Sequence, residues 1–109
     1  MSEGLSLAEY QALMWAEMTE SQFQSRVVAV AKLLGWWPIY HTRISLGSNQ
    51  GYPDLHMVRG GRSVFAELKR MGKGPTASQE LWLERLRSAG HEAYLWRPSD
   101  LPEIERVLG

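Results

Sequence analysis

The sequence predicts an α/β domain in which a mixed sheet of about four strands is flanked by helices. Three observations predict this class: helical hydrophobic spacing towards both ends of the chain, aromatic and β-branched runs in the middle, and glycine-rich turns between the runs. The element order is α-α-β-β-β-α-β-α, and the helix before the fourth strand permits a right-handed parallel crossover. The 109 residues correspond to a single domain over 1–109.

Two capping boxes predict the starts of the first two helices. Ser6 with Glu9 begins an additional N-terminal helix within residues 1–18, and Thr19 with Gln22 begins the second helix, which Gly35 ends. The apolar residues of the first helix suit either a cover for one face of the sheet or an interface with a second copy; they are Leu7, Tyr10, Met14, Trp15 and Met18.

Strands and turns alternate through the middle of the chain. Residues 36–45 predict a strand, and Pro38 favours an edge position or a strand start there. A loop over 46–53 precedes a hairpin whose arms, 54–58 and 63–69, flank a turn with paired glycines at 60–61. A helix then begins at Thr76 or Ser78 and ends at Gly90, a strand covers 91–96, and Ser99 or Asp100 caps a short last helix.

The composition excludes several classes of protein. The chain has no cysteine, which excludes a disulfide scaffold and a zinc–thiolate site. No apolar run reaches the length of a membrane span, and the first residues lack the features of a signal peptide. We therefore expect a cytoplasmic protein without a membrane partner.

The charges are distributed unevenly although the formal net charge is zero. Residues 26–73 contain eight bases and two acids, whereas residues 1–25 contain four acids and no base. Such asymmetry suits a polyanionic partner, and it is equally compatible with solvated hairpin and loop charges.

Three charged residues of the hairpin converge at its open end. Alternation along the second arm places Phe65, Glu67 and Lys69 on one face, and twelve residues separate Asp54 from Glu67. Because the hairpin folds back on itself, Asp54 and Lys69 lie at the same end.

Two adjacent carboxylates repel each other unless a cation lies between them, and hard oxygen ligands suit Mg²⁺. A neighbouring ammonium can orient a water or neutralise charge on a phosphate. The combination predicts phosphodiester hydrolysis. Each fragment alone also suits a structural role, as a Pro-Asp turn or a solvated Glu-Lys pair. Their joint placement on the two arms of one hairpin favours chemistry.

The stretch "YPD", twelve residues and "ELK" resembles the motif of the PD-(D/E)xK nuclease superfamily. From about Thr19 to Asp100 the chain is similar to the VRR-NUC (virus-type replication-repair nuclease) branch. The elements of that resemblance are an acid on the preceding helix (Glu20), "GYPDL", "ELK" at 67–69, Gln79 in the next helix, and the closing "AGHEAYLWRPSD".

The resemblance implies a restriction-endonuclease-like core and a role for each matching residue. Asp54, Glu67 and the backbone carbonyl of Leu68 would bind Mg²⁺, for which Mn²⁺ would substitute. Lys69 would act on the attacking water. Glu20 would complete the site directly or through a water, and Gln79 would steady Lys69 or a phosphate.

The same resemblance implies a structure-selective endonuclease acting on branched DNA such as four-way (Holliday) junctions, as a homodimer, in a bacterial or phage-infected cell. Two alternatives remain open. One is a flap, nick or non-specific nuclease in phage or mobile-element replication. The other is a catalytically inactive module of the same fold that binds nucleic acid.

Candidate DNA-binding residues are the bases near the open end of the hairpin: Arg43, Arg70 and Lys73. Arg59 and Arg62 are weaker candidates because the hairpin places them at the far end. The three histidines lack the close pairing of a metal site, although His56 shares a strand face with Asp54. Four tryptophans could stack on bases or belong to the core: Trp36, Trp37, Trp82 and Trp96.

Overall fold

The computed structural model describes residues 4–43 and 50–109, and its elements follow the predicted order. The elements are α1 (Leu7–Glu17), α2 (Glu20–Leu33), β1 (Ile39–His41), β2 (Leu55–Arg59), β3 (Arg62–Leu68), α3 (Ala77–Ser88), β4 (Glu92–Trp96), a 3₁₀ turn (Pro98–Asp100) and α4 (Leu101–Leu108). The predicted loop over 46–53 and segment 1–18 fall partly outside the described residues.

The four strands form one sheet in the order β1-β2-β3-β4. The first two pairings are antiparallel and the β3–β4 pairing is parallel, with α3 as the crossover between them. The predicted mixed sheet is therefore confirmed, as is the edge position of the strand that follows Pro38.

Both faces of the sheet are covered, and the alternation predicted for β3 decides which residues meet which helices. Val64, Ala66 and Leu68 face α2 and α4 in the main core. Phe65 faces α3, where it packs with Leu83 and Ala93. The main core contains the following buried residues: Phe23, Val27, Ala31, Trp36, Leu55, Met57, Val64, Ala66, Leu68, Trp96, Leu101, Ile104 and Leu108.

Helix caps are confirmed at three of the four helices. Ser6 and Thr19 begin α1 and α2 with reciprocal capping boxes, and Thr76 rather than Ser78 begins α3 with a third. Asp100, one of the two predicted residues, is at the N-cap of the last helix, but its side chain makes no capping hydrogen bond there. The Asp100 side chain accepts the Arg97 backbone N–H (2.8 Å) and so caps the 3₁₀ turn, which leaves α4 without a side-chain cap.

The first strand is shorter than predicted. Within the described part of segment 36–45, only Ile39–His41 forms a β-strand. Trp36 leaves the ladder because its N–H bonds the Ala31 carbonyl (2.9 Å) and its indole enters the core. The aromatic run predicted a strand that included Trp36, but Trp36 packs in the core instead of joining the strand. Residues 44–45 lie outside the described chain.

Arg59 joins the carboxyl ends of two helices at the far end of the hairpin. Its guanidinium donates to the carbonyls of Leu34 (2.9 Å), Leu108 (2.8 Å) and Gly109 (3.0 Å), and it lies 4.8 Å from the Trp36 ring centroid. Arg62 is likewise engaged, in a two-bond ion pair with Glu92. Both arginines of the turn have structural partners, which agrees with their weak candidacy for DNA binding.

α1 differs from the other helices because none of its residues is buried. Leu7 is 89% exposed, and Tyr10 and Met14 are also exposed. Trp15 and Met18 are partly buried against the main core. One side of α1 thus covers the body of the protein, as one interpretation predicted, and the other side leaves large apolar residues in contact with solvent. None of the helices in the described ranges is long and apolar enough to cross a membrane.

We expect Arg59→Ala to lower the free energy of unfolding by about 2 kcal/mol, because helix C-terminal carbonyls lose a charged donor and Trp36 loses its cationic neighbour. Urea denaturation would measure the change, and Arg70→Ala, at an exposed position, is the control. Arg59→Lys should recover only part of the loss, because one ammonium cannot reproduce the planar fork. A variant as stable as the control would contradict this role.

Candidate active site

The β2–β3 pairing brings the two hairpin acids together. Leu55 pairs with Ala66, so the next position outward sets Asp54 opposite Glu67. The Asp54 carboxylate accepts the backbone N–H of Leu68 at 2.8 Å. Asp54 also belongs to the link between β1 and β2, since its carbonyl accepts the Thr42 N–H at 2.9 Å. The predicted convergence at the open end is therefore present, and hydrogen bonds fix the position of Asp54.

Glu67 is a carboxylate in an unfavourable environment. Its side chain is only 2% exposed, and among the described residues Oε1 has no hydrogen-bond partner. Burial, followed by the negative charge of Asp54, raises the pKa of Glu67 to about 8, although Lys69 opposes the shift. Buried charges are ordinarily paired or bound to metals, so this group lacks the compensation that its position requires.

Lys69 provides the cationic neighbour. Its Nζ lies 3.6 Å from Glu67 Oε2, beyond a normal hydrogen bond, and the side chain is mostly buried. The backbone N–H of Lys69 donates to the Trp96 carbonyl (3.0 Å), which fixes the residue where β3 leaves the sheet. The ammonium is therefore close enough to act on a group bound at the acids without fully neutralising Glu67.

The donor set fits a hard divalent cation. Asp54 and Glu67 offer carboxylate oxygens, and the unpartnered Oε1 of Glu67 is an acceptor that a cation would satisfy. In the part of the chain that the structure describes, no three His, Cys, Asp or Glu residues lie close enough together to hold a metal. Two carboxylates are typical of Mg²⁺ sites, in which waters and substrate complete the coordination. The role of the Leu68 carbonyl stays a prediction.

The structure requires a glycine at position 51, shortly before the Pro53-Asp54 pair. Gly51 has φ of +85°, and a Cβ there would lie 2.4 Å from the Ser78 carbonyl carbon. The chain before β2 therefore lies directly on the first turn of α3. The Trp82 indole N–H donates to the Gln50 carbonyl (3.1 Å), and Tyr52 packs edge-on against Trp82. These contacts hold the segment that leads into Asp54.

Gln79 has a structural role in this contact. Its side-chain Oε1 accepts the Thr76 N–H at 2.8 Å, and its own N–H donates to Thr76 Oγ1. The capping box holds the helix turn on which Gly51 lies. The predicted action of Gln79 on Lys69 or a phosphate stays a prediction.

Glu20 lies on the first turn of α2 and is exposed. It lines a groove with Gln24, whose Nε2 is 2.7 Å from His41 Nδ1, and His41 pairs with Leu55 in the sheet. Glu20 is therefore near the end of the sheet that carries Asp54, on the side of α2. Its predicted part in the metal site stays a prediction.

The three predicted DNA-binding bases are all exposed: Arg43 after β1, and Arg70 and Lys73 in the turn after Lys69. Sequence reasoning missed a fourth base, Arg97, whose Nε donates to the Lys73 carbonyl at 3.0 Å. The signal was available: Arg97 directly follows β4, and the parallel β3–β4 pairing places the ends of both strands at the same edge. Arg97 thus supports the basic turn beside Lys69.

Most of the remaining aromatic and histidine candidates pack within the fold, whereas Trp37 is exposed to solvent. Trp36 and Trp96 are core residues, and Trp82 packs under the loop before β2. Trp37 is 69% exposed. His56 stacks on Phe65 with centroids 4.1 Å apart and bonds Ser63, and burial, assisted by His91, lowers its pKa. His56 is therefore a packed residue on the sheet face that bears Asp54.

In metal-free protein, Glu67 should make the free energy of unfolding fall as pH rises from about 4.5 to about 8. The folded state keeps a proton over this interval that the unfolded chain has released, and one group gives a slope of at most ~1.4 kcal/mol per pH unit. Glu67→Gln should lack this contribution and be the more stable protein at pH 8.

Urea denaturation in EDTA at several pH values would measure both proteins. The difference between them isolates Glu67, because His56 contributes to both. Glu84→Gln, on exposed α3 surface, should behave as the wild type does. A constant difference across this pH range would refute the raised pKa.

Comparisons with known proteins agree with the architecture. No protein-family profile matches the chain, and no curated protein matches it. A solved structure described as a "VRR_NUC domain protein" is similar with a TM-score of 0.66 and 21% sequence identity, over 84% of this chain and 88% of that one. At this identity the likeness concerns the fold. The chain has the restriction-endonuclease-like fold of a VRR_NUC domain protein, as its motifs suggested.

Proposed function

We propose that this protein is a nuclease of the VRR-NUC family, a divalent-metal-dependent endonuclease that hydrolyses DNA phosphodiester bonds. One observation carries the proposal: Glu67 is a buried carboxylate opposite Asp54, 3.6 Å from the Lys69 ammonium, with one oxygen unpartnered among the described residues. A fold has little use for such a group, because an apolar residue would stabilise it better. A metal-binding role accounts for it.

The roles of the residues follow from their positions. Asp54 and Glu67 would hold Mg²⁺ or Mn²⁺, and the bound ion would supply Lewis-acid stabilisation of phosphate charge and a more acidic water. The Leu68 N–H keeps Asp54 oriented. Lys69 is placed to orient the attacking water or to donate to a phosphate oxygen as charge develops there. Water adds to phosphorus and gives up a proton, the bond to one ester oxygen breaks, and that oxygen takes up a proton from solvent to leave as an alcohol.

The basic residues support DNA as the substrate. Arg43, Arg70 and Lys73 are exposed near the open end of the hairpin, because Arg43 follows Thr42, which bonds the Asp54 carbonyl, and the other two follow Lys69. Arg97 holds the turn that contains Arg70 and Lys73. Such side chains position a phosphodiester backbone without reading sequence. Selectivity for branched DNA such as four-way junctions is proposed from the family resemblance. A flap, nick or non-specific nuclease, acting in a phage-infected or bacterial cell, would use the same residues.

An inactive binding module of the same fold is the second class of alternative. It would have no need for a buried Glu67 with an unpartnered oxygen beside a second acid and an ammonium. Mg²⁺ binding separates the two classes, because the module should not bind the ion at this site.

Asp54→Asn should reduce Mg²⁺-dependent cleavage by roughly three orders of magnitude or more and weaken Mg²⁺ binding, because it removes a charged ligand. Lys69→Ala should reduce turnover by about 10²-fold while Mg²⁺ binding is retained, because its role concerns water and phosphate. Calorimetric Mg²⁺ titration and a cleavage panel of junction, flap, duplex and single strand would measure both effects.

Glu84→Gln is the control for loss of a carboxylate on the surface. DNA binding in EDTA should persist in both site variants, which separates chemistry from recognition. Full cleavage by Asp54→Asn, or equal loss of Mg²⁺ binding in both variants, would overturn the assignment.

We further propose a homodimer, because paired cuts in a junction need two sites and each chain carries one. The exposed apolar side of α1 is the candidate interface. The exposed apolar residues of α1 include Leu7 and Met14, which are two helical turns apart.

Leu7→Glu combined with Met14→Glu should convert the dimer into a folded monomer that no longer makes paired cuts. Both positions are exposed, so the charges should not disturb the core. Light scattering would report the mass, and Leu33→Glu, at an exposed apolar position on α2, is the matched control. A wild-type monomer, or a double variant that remains dimeric, would contradict this interface.

A further inference from the structure

A groove runs along the solvent side of α2 beside the edge strand β1. We call it the α2–β1 groove; its volume is about 640 Å³. Its polar lining consists of Glu20, Ser21, Gln24, Ser25, Lys32 and His41. Of the lining residues in the described chain, only Glu20 is acidic, and it lies at one end. The remaining polar groups are hydroxyls, an amide, an imidazole and an ammonium, which can donate to phosphate or to base edges.

Beside the Lys32 end of the groove, just outside its lining, lies an exposed aromatic ring, Trp37. Trp37 is 69% exposed, and Lys32 Nζ lies 6.0 Å from its ring centroid. The other tryptophans in the described ranges are buried or partly buried in packing contacts. Tyr40, on β1, is also 60% exposed. An exposed indole with an ammonium beside it offers a stacking surface for a base and a contact for the adjoining phosphate.

One end of the groove lies at the end of the sheet that carries Asp54. Its length from Glu20 to Lys32 is about 18 Å, from the helical rise of 1.5 Å per residue, which suits at most about five nucleotides at 3.4 Å per nucleotide. His41 pairs with Leu55, and the Thr42 N–H donates to the Asp54 carbonyl. The Glu20 end is therefore next to the strand that carries Asp54, and the Trp37 end is remote from it.

We propose that the α2–β1 groove binds an unpaired DNA strand, with a base stacked on Trp37 and a phosphate at Lys32. This inference rests on the proposed nuclease function and, among the substrates named there, favours a flap over the fully paired four-way junction: DNA in which a single-stranded segment adjoins the scissile bond. A duplex does not suit the groove, because its base faces are covered by neighbouring base pairs and cannot stack on Trp37. The base faces of a single strand are uncovered, and any of the four bases can stack on an indole ring.

The first experiment measures binding in EDTA, where cleavage does not interfere. The probes are fluorescein-labelled oligo(dT) of eight nucleotides and a labelled 20-base-pair duplex, followed by anisotropy. Trp37→Ala should weaken oligo(dT) binding about 5- to 150-fold, the effect of losing one stacked base. Trp37→Phe should retain most of the affinity, and Lys32→Ala should weaken it and reduce its salt dependence. Duplex affinity should change less than twofold in all three variants.

Leu33→Ala is the matched control, since Leu33 is 87% exposed on α2 and does not line the groove. Its affinity for both probes should equal that of the wild type. Wild-type protein that does not bind oligo(dT), Trp37→Ala that binds it normally, or an equal loss for oligo(dT) and duplex would overturn the inference.

The second experiment separates this inference from the proposed function. With Mg²⁺, Trp37→Ala should lower kcat/KM on a substrate with an unpaired arm and leave a fully paired substrate unaffected. If the wild type cleaves no substrate in the panel, the nuclease proposal fails, and the binding experiment still decides whether the groove takes a single strand. If the wild type cleaves and Trp37→Ala has unchanged preference, the groove proposal fails alone.

Discussion

The hydrogen bond from the Leu68 N–H to the Asp54 carboxylate is the constraint on which the site depends. It ends the β2–β3 ladder with a side chain instead of a carbonyl, so Asp54 is held at the edge of the sheet opposite Glu67. The register of the hairpin is fixed by burial, because a shift by one residue would exchange the two faces of β3. The packing of the two faces of β3 thereby fixes the register that places Asp54 opposite Glu67.

The cost of this arrangement is concentrated in Glu67. A carboxylate that is 2% exposed and faces a second acid weakens the fold whenever it is ionised. Lys69 compensates only in part, at 3.6 Å. The remainder of the structure supplies stability elsewhere, through two covered sheet faces and through Arg59, which ties α2 and α4 to the hairpin turn. The Arg59 contacts that join the helices and the candidate active site are thus at opposite ends of the same hairpin.

Much of this could be predicted because local patterns and global packing agree. Capping boxes, glycine turns and strand alternation gave the element order, the mixed sheet and the position of Asp54, Glu67 and Lys69 relative to one another. What could not be predicted depends on contacts between segments distant in the chain. The aromatic run at residues 36–41 did not reveal that Trp36 packs inside and Trp37 outside. Nor did the motif around Gly51 reveal that α3 lies against it, since that contact joins residues 51 and 78.

The hairpin also has a consequence for the folding pathway. Its strands are joined by a two-residue turn, so β2–β3 is the most local strand pairing in the described sheet, whereas the parallel β3–β4 pairing must wait for a helical crossover. The pairing that can form earliest is therefore the one that forces Asp54 and Glu67 together. Closing the last rungs of the hairpin either brings two like charges together or takes up a proton at Glu67, so the pH during refolding acts directly on that step.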